Sequence, residues 1–145
     1  MVCGSTQSVV PDMGVMVAEM PKTVYEGTGD ATAWAQQVLA AYGRHSSLIL
    51  SIPHHHLTGK SVAVRLRGVM AAVVGLLVAV RCPRCLVLEG GATAHACLQA
   101  LGWNRFVVEA ELAPGAIALK SMGQTTVVLK PGSYPWGSLF GMKTD

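Results

Sequence analysis

Charge is what this chain has least of. Only 13 % of its 145 residues are charged, and 11 basic against 8 acidic ones leave a net +3. With no basic block and no basic stripe interleaved with aromatics, a nucleic-acid partner held by charge is excluded. Cysteine is scarce too: Cys3, Cys82, Cys85 and Cys97 are too few for a disulfide framework. The opening MVCGSTQSVV lacks both the basic segment and the apolar core of a secretory signal. Reduced thiols in the cytoplasm are the expectation. Long hydrophobic runs stop short as well. Gly68–Val80 (GVMAAVVGLLVAV) lies between Arg67 and Arg81 and falls below the roughly 20 apolar residues of a membrane span. It reads as a helix buried on most of its circumference, with no membrane partner.

What is present is apolar. Hydrophobic residues make up 51 %, enough for the core of one ordinary domain over residues 1–145. Along the chain, short apolar runs alternate with helical stretches. Strands are expected at Met1–Cys3, Val15–Glu19, Leu48–Ile52, Leu86–Leu88, Phe106–Leu112 and Thr125–Leu129. Helices are expected at Ala31–Tyr42, with Asp30 as N-cap and Gly43 closing it, at Ser61–Val80, and at Thr93–Leu101 before Gly102. Near-continuous apolar strands alternating with helices imply an α/β fold: three layers, a mostly parallel sheet, helices on both faces. The first strand begins at Met1 and the tail GSLFGMKTD is short, so the chain reads as a domain excised from something longer.

In such sheets ligands bind beyond the carboxyl ends of strands. Three segments rich in small residues follow strands here: Gly4–Ser8, Gly90–Thr93 and Pro131–Ser133. The Gly90-Gly91 pair either makes a tight turn or lets a ligand lie against the main chain. The helix starting at about Thr93 offers free N–H groups and a positive dipole end, suited to an anion. Thr93 either caps that helix or gives its hydroxyl to a phosphate. In Lys130-Pro131-Gly132-Ser133, Pro-Gly is a turn pair. Its lysine is either solvated or a positive charge beside a nucleotide backed by Gly132.

Other chemistry is thinly supported. Three adjacent histidines, His54 to His56, cannot readily face one metal, and Cys82-Pro-Arg-Cys85 supplies only two thiolates. The two cysteines read as small packed groups, and no metal site is expected. There is no GxSxG elbow and no pair of carboxylates at catalytic spacing. Glu109 and Glu111 share one face by period two, and Glu89 precedes the glycine pair; all three read as strand-end carboxylates. No catalytic residue is assigned.

Taken in order, VCGSTQS, LEGGATAHACLQALGW, VEAELAPGA and VVLKPGSYPWGSLF resemble the C-terminal nucleotide-binding domain of the four-carbon acid sugar kinase family. That family carries a GS(T/C)S-like loop, a GGxT(A/S) turn, an E-x-x-PG segment and a K-x-G turn in this order. The resemblance implies an ATP-dependent kinase of threonate- or erythronate-type acids. It places nucleotide contacts on Ser5, Gly90, Gly91, Ala92, Thr93 and Gly132, with Mg²⁺ carried by the nucleotide. It also implies that the sugar acid and the catalytic base belong to an N-terminal domain not matched here, so the chain alone would hold nucleotide and transfer nothing. KPGSYPWG departs from the usual KAGGFG-like turn, and Pro135 and Trp136 would rebuild that wall. Two other readings stay open: a non-catalytic phosphate- or nucleotide-binding module, and a small metal or thiol protein. Assembly of identical chains is open too.

Overall fold

The computed structural model describes residues 1–5, 16–45, 47–53 and 59–133. The histidine triplet, residues 6–8 of the first loop, Pro135 and Trp136 lie outside the described residues. In chain order the elements are β1 (Val2–Ser5), β2 (Met16–Glu19), α1 (Lys22–Glu26), α2 (Ala31–Tyr42) and β3 (Leu48–Ile52). They continue with α3 (Lys60–Val80), β4 (Cys85–Glu89), α4 (Gly91–Ala100), β5 (Phe106–Ala113), β6 (Ala116–Ser121) and β7 (Thr126–Lys130).

The seven strands form one sheet in the order β2-β3-β1-β4-β7-β6-β5. The first five are parallel to their neighbours, whereas β6 and β5 join antiparallel. Register puts Cys3 beside both Leu50 and Leu88, and Leu86 beside Val127. All five are fully buried and share one cluster with Trp34 and Val38 of α2, Met70, Val74 and Leu77 of α3, and Cys97 of α4. Alternation along the strands sends Ile49, Val87 and Val128 to the other face, and they are buried as well. The sheet is the middle of a three-layer α/β arrangement, mostly parallel.

Local signals set several boundaries. Asp30 accepts a hydrogen bond from the Thr32 amide at 2.7 Å, so the N-cap of α2 stands where its side chain is suited to stand. Two elements carried no readable signal, α1 and β6. The five-residue α1 follows Pro21 and ends at Gly27, whose φ is 83°. Arg65 of α3 donates to the carbonyls of Val24 and Tyr25. This short helix is held by tertiary bonds to its orphan C-terminal carbonyls. The strand β6 is created by the turn at Gly115 (φ 72°), which folds the chain back onto β5.

Helix α3 departs from expectation. It has 21 residues, and its 18-residue window reaches a mean hydropathy of 2.0, long and apolar enough to cross a membrane by length and composition. Yet only 33 % of that window is buried, so it is not enclosed on most of its circumference. Leu66, Met70, Val73, Val74 and Leu77 form the buried stripe, with the three- and four-residue spacing of one helix face. Val64 and Leu76 on the other side are about half exposed, at 52 % and 50 %.

Candidate functional site

Strands β1, β4 and β7 are neighbours and run parallel, so their carboxyl ends, and the segments that follow, lie side by side. Ser5 ends β1, Gly90 and Gly91 follow β4, and Pro131 and Gly132 follow β7. The last rung between β4 and β7 is Glu89↔Lys130. Beyond it the Gly90 amide donates to the Lys130 carbonyl at 2.8 Å.

Gly90 is the N-cap of α4 with φ 84° and ψ 123°, a conformation that side-chain-bearing residues rarely adopt. Here the double glycine has its physical reason: the chain leaves a strand and enters a helix within one residue. The helix begins at Gly91, two residues earlier than the sequence suggested, so Thr93 lies inside the first turn and does not cap it. The first intrahelical bond is made by the Ala94 amide, to the Gly90 carbonyl at 2.9 Å. The amides of Gly91, Ala92 and Thr93 therefore precede the helical ladder and point out of the N-terminus. With the dipole they make a positive end.

A cleft of about 430 Å³ opens at this point. Leu88 and Leu129 supply its floor, Ala94, His95 and Leu98 of α4 one wall, and Gly90, Gly91 and Pro131 its polar mouth. The turn at Gly115 borders it from the β5–β6 hairpin. The cleft is thus an apolar slot leading to a row of backbone donors. Of the residues assigned from sequence, it brings together Gly90 and Gly91. Ala92 and Thr93 sit on the same helical turn, Gly132 adjoins Pro131, and Ser5 ends the strand beside β4.

Sequence reasoning missed the charged pair under this mouth. The Lys130 ammonium lies 2.7 Å from a Glu89 carboxylate oxygen, with both side chains almost wholly buried. It also donates to the Pro131 carbonyl at 3.0 Å. Lys130 is neither solvated nor a bare positive charge, and Glu89 is no ordinary strand-end carboxylate. The one available signal was an acid and a base each ending an apolar strand immediately before a glycine- or proline-led turn.

Two further expectations are corrected. Register shifts between Val108 and Ala110 and between Glu111 and Ala113 interrupt the period-two run on which Glu109 and Glu111 were expected to share a face. Glu111 accepts from the Gly115 amide and Glu109 from the Thr126 hydroxyl. Cys82 and Cys85 are exposed, not packed away, and the Cys82 thiol lies 3.2 Å from the Thr125 hydroxyl. Among the described residues no three His, Cys, Asp or Glu side chains group together as metal ligands.

Comparison with known proteins agrees with the fold. A protein of Bordetella bronchiseptica, described as a domain of unknown function and solved with bound citrate as a domain-swapped dimer, superposes with a TM-score of 0.73. It is 23 % identical, over 88 % of this chain and 33 % of its own. A Haemophilus influenzae protein of the same kind gives 0.61 at 18 % identity, over 88 % and 34 %. A Salmonella typhimurium protein, provisionally named a tRNA synthase, gives 0.69 at 16 % identity, over 96 % and 38 %. These likenesses show the fold, and the chain spans about a third of the length of each of these structures. No curated protein matches it. The model of the nucleotide-binding C-terminal domain matches residues 12–134, and the chain belongs to that family.

Proposed function

We propose that this domain holds ATP or ADP at the β4–α4 turn, as the nucleotide-binding part of a kinase that phosphorylates a four-carbon sugar acid. The observation that carries the reading is the apolar cleft opening onto the N-terminus of α4. An adenine ring suits the slot between Leu129 and the α4 wall. The phosphates would then lie against the free amides of Gly91, Ala92 and Thr93, where helix N-termini favour anions. Gly132 and Ser5 would border the nucleotide from the adjoining strand ends. Mg²⁺ would arrive on the phosphates and neutralise charge during transfer, which depends mainly on positioning and electrostatics. The acceptor acid and the base would be supplied by another domain, consistent with the length of the solved relatives.

Gly91 provides the test. A Cβ built there meets nothing within 4 Å, and its φ is not positive, so Gly91→Asp fits the fold. Its carboxylate would occupy the phosphate position and repel the ligand. Calorimetric titration with ADP should show affinity at least about tenfold weaker, roughly 1.4 kcal/mol, with thermal stability nearly unchanged. Unaltered binding by the folded variant would defeat the phosphate placement. The isolated chain should not phosphorylate threonate; turnover by it would show that no acceptor domain is needed.

A further inference from the structure

Strands β4 and β7 end on the same rung, Glu89↔Lys130, and there the two backbones part. One turns through Gly90 into α4; the other turns through Pro131. Past this rung, one backbone bond (Gly90 amide to Lys130 carbonyl) continues the ladder. The side chains of that rung form the buried ion pair, 2.7 Å long, and its ammonium reaches on to the Pro131 carbonyl.

A buried ion pair is a poor device for stability, because desolvation of both charges offsets most of their attraction. Two rungs earlier Val87 faces Val128 on the same sheet face, and an apolar pair would serve burial at Glu89 and Lys130 equally well. What the charges add is direction. A carboxylate and an ammonium with a second acceptor fix angles that packed methyl groups do not.

We infer that Glu89 and Lys130 are positioning residues: their ion pair is a clasp that sets the Gly90–Gly91 turn against the Pro131–Gly132 turn. Lys130 also borders the cleft, but the clasp is defined by what it does to the backbone. It acts through the amides of Gly91, Ala92 and Thr93, whose alignment is completed before a ligand arrives. Its purpose rests on the nucleotide reading of these turns, but its existence can be measured without nucleotide.

The test compares the parent chain with Glu89→Leu/Lys130→Met, which keeps volume and removes both charges. Melting temperature, amide hydrogen exchange without ligand, and ADP titration are read together. The double variant should melt within a few degrees of the parent, since an apolar replacement is often neutral or better. Exchange at Gly90 and Ala94, whose amides are bonded to the Lys130 and Gly90 carbonyls, should rise about tenfold, and ADP affinity should fall by a similar factor. Parent-like exchange at those amides overturns the clasp. So does exchange that rises uniformly across the sheet, the signature of plain loss of stability. Local exchange that rises while the parent binds no ADP upholds the clasp and defeats the nucleotide reading. If the double variant does not fold, Glu89→Asp replaces it. The shortened arm should produce the same local rise, and its absence overturns the proposal.

Discussion

Cys3 and Cys97, from β1 and α4, are both at 0 % exposure, and their thiols hydrogen-bond to each other. That bond raises the Cys3 thiol well above the ordinary range and lowers the Cys97 thiol, while burial raises both, so the pair as a whole resists ionisation. A raised folded pKa means that the unfolded chain loses its proton first as pH rises. Stability is then level below the unfolded thiol value of about 8.5 and declines above it. Thermal melts between pH 7 and 10 should show this fall, and Cys3→Ala should flatten the alkaline slope, whatever its effect at neutral pH. At this scale the sequence was only partly legible. Gly90 and Gly91 could be singled out because glycine has few reasons to sit between strand and helix. Glu89 and Lys130 could not be joined, because they are 41 residues apart and meet only through a strand order that no local pattern encodes.

Among the elements, α2 and β3 read correctly to the residue, because a capping Asp30 and the closing Gly43 and Pro53 are local chemistry. The sequence suggests a start for α4 at about Thr93, with that threonine either a cap or a phosphate contact. A positive φ at Gly90 instead starts the helix at Gly91 with no side-chain cap, which leaves the first amides free. Helix α3 was placed well but oriented poorly. Its composition is apolar on every side, so periodicity could not tell the buried stripe from the exposed one. Adjacent leucines separate the two. Leu77→Ala, in the 0 % exposed stripe, should cost about 2–5 kcal/mol of stability. Leu76→Ala, half exposed, should stay within about 0.5 kcal/mol. Denaturant unfolding of the two variants gives the comparison, and equal losses would mean that the exposed stripe is covered in solution.

For the whole molecule, the parallel three-layer class was legible from alternation alone, whereas the antiparallel β5–β6 end was not. A Pro-Gly turn between apolar runs is ambiguous between leaving the sheet and reversing along its edge. Because the candidate site joins the ends of strands from distant parts of the chain, ligand binding should stabilise the entire fold. ADP at 100 times its dissociation constant should add about 2.7 kcal/mol, a melting shift of several degrees. Gly91→Asp should shift little at the same ADP concentration. The position of β1 has a kinetic consequence. The β5–β6–β7 meander closes between near neighbours in sequence, and such local contacts form early. By contrast β1 is hydrogen-bonded to β3 on one side and β4 on the other, with Val2 paired to Val87. Of the described strands, β1 is made before the others and must therefore wait, unpaired, until both of its partners have been synthesised. The middle of the sheet, from which the first of the three candidate loops departs, is the seam that closes last.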